Sequence, residues 1–183
     1  MKVVDKEKFY KRLWIYKYLI FLNFSTDIDD DNLKVIINAL NMKSRKKRFN
    51  YIIDEACLYI DNYYSKCNLC HFKNNKCTSH RKRKLDFING CCHVCKYQST
   101  NGCTIKNVAC KLFNCSYVDY NGLIPLKSND IMLLKLLNFY ERYVLTHDFY
   151  EEKKKVIFDM YMGTIHLLLL IFSFVGLLVM MLL

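Results

Sequence analysis

Glycine and proline are scarce in this chain, with five glycines and a single proline, Pro125, among 183 residues. Folds built from many tight turns draw on glycine for positive φ and on proline for preset turns, so this shortage argues against sheets and favours helices. Acidic residues are also in short supply: 17 Asp and Glu face 28 Lys and Arg, and the formal net charge is +11. Catalytic signatures are missing as well. The chain has no phosphate-binding Gly-rich loop, no nucleophile elbow and no His-Glu-x-x-His zinc helix, so no motif supports an enzyme. Gln98 stands where a radical SAM run Cys-x-x-x-Cys-x-x-Cys would need its last cysteine, and the ferredoxin run Cys-x-x-Cys-x-x-Cys does not occur either.

The last absence is charge at one end. From Gly163 to Leu183 the sequence GTIHLLLLIFSFVGLLVMMLL has no charged residue over 21 positions. A helix of that length spans about 30 Å, the hydrocarbon thickness of a bilayer. Gly163 and Gly176 do not break such a helix, because lipid offers the backbone no other partner. The run is therefore expected to be a single transmembrane tail anchor. Lys153, Lys154 and Lys155 precede it, and basic residues flanking a span favour the cytoplasmic side, which would leave the bulk of the chain there. His166, one turn into the run, reads as a neutral imidazole near the interface. A second apolar stretch, Leu13 to Leu22, follows Lys2, Lys6, Lys8, Lys11 and Arg12. It is interrupted by Lys17 and lacks a small-residue cleavage site, so it reads as an amphipathic helix rather than a signal peptide.

The chain divides into four parts: 1–65, helical; 66–122, rich in cysteine; 123–162, a helical connector; and 163–183, the anchor. The fold class expected is mainly α. Residues 5–64 are expected to form three helices. The second opens at Asp29-Asp30-Asp31, acidic residues suited to a helix N-terminus, and continues with Leu33, Ile36, Ile37 and Leu40 at helical spacing. The third, from about Ser44 to Tyr64, places Phe49, Ile52, Ile53, Ala56 and Ile60 on one side, with Cys57 as a small core residue. Helix is expected again over 128–148, capped by Ser128 or Asn129, with Ile131, Leu134, Leu137 and Val144 on its apolar face.

Nine of the ten cysteines fall between Cys67 and Cys115. Two explanations compete: thiolates binding metal, or disulfides holding together a segment with little core. A cytoplasmic block is reduced, which favours metal. Spacing agrees. Cys67-Asn68-Leu69-Cys70 lets two sulfurs reach one ion from a tight turn, and Cys77 and His80 follow as further ligands for a closed tetrahedral site. Cys92-His93-Val94-Cys95 is a second such pair. Zinc and iron–sulfur clusters both take cysteine thiolates, so the cofactor expected is one or the other, undecided.

Three elements, Cys91-Cys92-His93-Val94-Cys95-Lys96-Tyr97, then Gly102-Cys103-Thr104-Ile105, then Cys110-Lys111-Leu112-Phe113-Asn114-Cys115, together resemble the zinc- or iron-chelating cysteine-cluster family of bacteria (the YkgJ-type domain). The resemblance implies Cys67, Cys70, Cys91, Cys92, Cys95, Cys103, Cys110 and Cys115 as the chelating set. This chain differs from the family pattern in the longer gap before the Cys-Cys pair, which contains Cys77 and His80, and in carrying Asn107-Val108-Ala109 where the family has Arg-Pro.

The basic runs Arg45-Lys46-Lys47-Arg48 and Arg81-Lys82-Arg83-Lys84 suit anionic headgroups, nucleic acid or plain solvation. Membrane lipid is the partner expected first, an unidentified protein partner is open, and nucleic acid is not favoured. The function expected is metal binding, structural or redox, at the inner face of a membrane. Two alternatives are a disulfide-bonded exported or viral envelope protein and a membrane-tethered zinc-knuckle nucleic-acid-binding module.

Overall fold

The computed structural model describes residues 1–19, 21–64, 105–113, 122 and 124–163, together with the backbone of 72–73, 76–77, 98–99 and 102–103. The chain is mainly helical. A two-residue strand, β1 (Lys2–Val3), pairs in parallel with β2 (Ser25–Thr26). Between them lie α1 (Lys6–Lys11) and α2 (Leu13–Tyr16). Asp5 caps α1 by accepting the Lys8 amide at 2.9 Å. The stretch expected as one helix is thus two, broken at Arg12, because Phe9, Tyr16 and Phe24 pack together: Phe9 stacks on Tyr16 at 5.2 Å and meets Phe24 edge-on at 6.0 Å.

Helix α3 (Asp31–Asn41) begins where its acidic residues suggest. Asp30 is its cap, accepting the Leu33 amide at 2.8 Å, and it also takes a hydrogen bond from Lys6 at 2.7 Å. The Lys6 ammonium is the first reason the Asp30 carboxyl lies below its usual range. At the other end, the Asn41 side chain pairs with both backbone groups of Phe24, at 2.7 and 2.8 Å, and so ties the β2 segment to α3. Helix α4 (Arg45–Tyr64) is the longest element of known extent and buries Phe49, Ile52, Ile53, Ala56, Cys57, Ile60 and Tyr64. This three-four spacing places one continuous stripe against the core, and each large aliphatic in it contributes about 2 kcal/mol of burial.

The segment 128–148 is helical, but as three pieces. Two 3-10 turns, Ser128–Asp130 and Met132–Leu136, precede α6 (Phe139–His147). Side chains three apart eclipse one another in a 3-10 helix. Ile131, Leu134 and Leu137 sit at that period, and all three are buried, as are Leu133 and Leu136. An α-helix would have turned one of these stripes toward water. Asn138 then starts α6 afresh, its side chain accepting the Glu141 amide at 2.8 Å while Glu141 accepts the Asn138 amide at 2.9 Å. This reciprocal pair is the cap, rather than Ser128 or Asn129.

After a turn at 148–152, residues 153–163 form a further helix, α7. Val156, Ile157 and Met160 enter the core, and Tyr161 meets Phe49 edge-on at 5.3 Å. The Tyr140 ring lies where a β-carbon on Gly163 would project, so a larger residue there would have to displace that ring. One core therefore draws on 1–64, on α5 (Val108–Leu112) and on 124–163. Among the described residues no helix is long and apolar enough to cross a membrane. The anchor expected from Gly163 to Leu183 lies outside the described residues beyond position 163.

Candidate functional site

Most of the cysteine block lies outside the described residues: Cys67, Cys70, His80, the run Arg81, Lys82, Arg83, Lys84, and Cys91, Cys92, Cys95 and Cys115. Cys77 and Cys103 are described by their backbone. Each ends a two-stranded antiparallel hairpin. In the first, β3 (Phe72–Lys73) pairs with β4 (Lys76–Cys77), with Phe72 opposite Cys77. In the second, β5 (Gln98–Ser99) pairs with β6 (Gly102–Cys103), with Gln98 opposite Cys103. Paired α-carbons in such a ladder are about 5 Å apart. The chain therefore doubles back so that Cys77 lies across from a position two residues after Cys70, and Cys103 across from a position three residues after Cys95. In sequence, each Cys-x-x-Cys is followed by a hairpin whose second strand ends in a cysteine. This repeat is in the backbone; periodicity did not reveal it, because strands of two residues leave no alternation to read.

Cys110 is placed in full. Asn107 opens α5 as its cap, its Oδ1 accepting the Cys110 amide at 2.9 Å. The Asn107 Nδ2 donates to the carbonyls of Asp148 at 2.7 Å and Glu151 at 3.0 Å. One buried side chain thus clamps the 148–151 turn to the start of α5. In that turn Tyr150 adopts a left-handed backbone, φ 65°, and directs its amide to the Cys110 sulfur at 3.1 Å. Amide donors to a cysteine sulfur stabilise its thiolate form and tune thiolate-bound clusters. Phe113 and Phe149 meet edge-on at 5.9 Å beside it. On the α4 side, Lys111 binds both carboxylate oxygens of Asp61, at 2.6 and 2.8 Å.

Asn107 and Tyr150 were not identified by sequence reasoning as part of the site. Asn107 is legible in retrospect as a cap ahead of Val108, while Tyr150 has no local signal, since its role depends on a turn 40 residues away.

Cys57 provides the contrast. It is 4% exposed on the core side of α4. Burial pushes its thiol up to about 12, with Asp61 and Asp54 adding to the rise and Lys111 and Lys106 opposing it. Such a thiol is a small apolar residue and a poor ligand. Among the described residues, no three His, Cys, Asp or Glu side chains gather to hold a metal ion. Of the expected ligands, only Cys110 has its side chain described, and any shared ion would require sulfurs outside that set. The donor set fits a soft-metal site in kind: thiolates at knuckle spacing, a fixed amide donor at one sulfur, and lysines nearby. In comparisons with known proteins, no family model, no curated protein and no solved structure matches this chain.

Proposed function

We propose that this chain is a membrane-anchored metal-binding protein, structural or redox in role, that holds zinc or an iron–sulfur cluster on cysteines between 66 and 122. The observation that supports this reading furthest is the hairpin register, which sets Cys77 opposite Phe72 and Cys103 opposite Gln98, positions two and three residues after the Cys-x-x-Cys pairs in sequence. Cys67, Cys70 and Cys77, with His80, would form one donor group. By the family resemblance, Cys91, Cys92, Cys95, Cys103, Cys110 and Cys115 would supply the rest. Bound metal would give this segment the cross-linking that a core would otherwise provide. The uncharged run 163–183 would be the single transmembrane helix, with the bulk of the chain on the cytoplasmic side.

The test is metal content and an optical spectrum on anaerobically purified full-length protein. Cys110→Ser and Cys115→Ser are expected to lower metal stoichiometry, and Cys57→Ser to leave it unchanged. Broad absorbance near 400 nm (roughly the thiolate-to-iron region) would identify a cluster, and a colourless metal-loaded protein would identify zinc. Full metal in both the Cys110→Ser and Cys115→Ser proteins would reject the site. If denatured protein titrates for only two thiols, Cys57 and one other, instead of ten, the disulfide alternative replaces it.

A further inference from the structure

The end of the molecule at which α7 leaves the core has an unusual surface. Tyr161, two residues before Gly163, lies under the Arg45 guanidinium at 5.0 Å, and Phe49 receives the same guanidinium at 5.1 Å. Arg45 opens α4 and is followed by Lys46, Lys47 and Arg48. From Arg45 a cavity of about 340 Å³ extends past Arg48 to Lys17 and Tyr18 at the end of α2. Its one carboxylate, Glu141, is already taken by Arg45 at 2.6 Å. Arg48 makes no ion pair among the described residues, and its partial burial holds the guanidinium below its usual value. Segments 8–26 and 32–53 contain no acidic residue at all. Among the described residues Glu141 is the one carboxylate lining this cavity, and both Arg45 and Arg48 draw on it.

The same end is greasy. Trp14, Tyr18 and Phe21 are 65%, 67% and 73% exposed, and Ile15 joins them. Trp14 lies on α2, Tyr18 and Phe21 follow in the turns after Tyr16, and Tyr18 lines the same cavity as Lys17, Arg45 and Arg48. A soluble surface gains nothing from a row of exposed aromatics. Amphipathic aromatic rings beside lysines and arginines have one solvent that satisfies both: the headgroup layer of an anionic bilayer, where rings sit below the phosphates and cations reach them.

We infer that this end of the molecule lies on the bilayer surface, with Trp14, Tyr18 and Phe21 in the headgroup layer and Lys17, Lys46, Lys47 and Arg48 against the phosphates of anionic lipid. The inference rests on the proposal that 163–183 crosses the membrane, since α7 delivers the chain to that run at this same end. It adds a second contact, which fixes how the folded part sits. The cysteine hairpins and α5 follow the opposite end of α4 in the chain, so docking this end leaves α5 and Cys110 away from the lipid.

Trp14 is the only tryptophan, so its fluorescence reports this face alone. Full-length protein is reconstituted into vesicles of anionic phosphatidylglycerol mixed with phosphatidylcholine brominated at shallow or deep acyl positions. Flotation after carbonate washing reads the anchor separately. The expected result is flotation with blue-shifted Trp14 emission, quenching stronger by shallow than by deep bromines, and loss of iodide access. Changing Lys46, Lys47 and Arg48 to Gln is expected to reduce that quenching toward its level in purely zwitterionic vesicles, with flotation and the thermal midpoint unchanged. Floating protein with Trp14 open to iodide and unquenched by bromine overturns the inference and leaves the anchor standing. Trp14 shielded from iodide yet unquenched in every vesicle also overturns it, in favour of a protein contact. Protein that does not float overturns the anchor and this docking together.

Discussion

The two ends of α4 are secured differently. At its start, Arg45 is held by a buried carboxylate at 2.6 Å and sandwiched by two rings of the core. Near its finish, α5 is held by the pair of the largely buried Lys111 with the exposed Asp61 and by Asn107, a single amide with three hydrogen bonds. The first end is over-determined: charge, stacking and apolar burial all fix the same geometry. The second is held by the Asn107 clamp together with the Lys111–Asp61 ion pair and the burial of Val108 and Ala109, and Cys110 lies one turn from Asn107.

The sharpest way to break that contrast is Asn107→Ala. It removes the cap of α5 and strands two backbone carbonyls, and it is expected to cost about 3 kcal/mol in the denaturant midpoint analysis. It should also lower metal retention by displacing Cys110 from the Tyr150 amide. A loss below about 0.5 kcal/mol would show that the 148–151 turn is held by something else. At the opposite end, Glu141→Ala leaves Arg45 without its carboxylate and α6 without half its capping box. Because Arg45 keeps its two rings and about a third of its exposure, the expected loss is smaller, about 2 kcal/mol, with metal content unaffected.

Between the ends sits Cys57. Cys57→Ser places a hydroxyl where burial is almost complete and is expected to cost about 1.5 kcal/mol, again without loss of metal. In the native protein Cys57 should resist iodoacetamide at pH 8, because its thiol is pushed up to about 12. Alkylation there while the fold persists would contradict the core assignment.

The smallest effect is expected from Asp148, in the turn clamped by Asn107. Burial, with Asp159 and Glu151 adding, raises its carboxyl above the ordinary 3.8, while Lys155 and His147 oppose the shift. A carboxyl raised on folding favours the native state in its protonated form, so its contribution is present at acid pH and lost as the pH rises through the raised value. Asp148→Asn should therefore match the wild type below pH 3.8 and melt slightly higher than it at neutral pH. Thermal melts across that range check the sign.

Some elements were legible because their signals are local. Asp30 caps α3 as its acidic run suggested, and α4 runs within a residue of the Ser44–Tyr64 pattern, since a cap and a three-four stripe are both written in neighbouring residues. The pieces that went unread depend on distant partners. The β1–β2 pair joins Lys2 to Ser25, and two residues of strand carry no period of their own. The segment 128–148 shows apolar residues that suit a helix, but whether one face or two is buried depends on what surrounds it. With α3, α4 and α2 packed around the Leu-rich turn, a period of three buries more than 3.6 does.

The sequence by itself determined the helical class, the buried stripe of α4, the place of Cys57 on that stripe and the segregation of thiols from the rest of the chain. Each of these follows from residue type and near-neighbour spacing, which survive without knowing the fold. Tertiary structure decided the rest: that Asn107 reaches Asp148 and Glu151, that Tyr150 turns its amide onto Cys110, and that Arg45 lies over the Tyr161 ring of α7. Those contacts join residues 40 to 116 positions apart, where no local preference acts and only the shape of the common core brings the groups together.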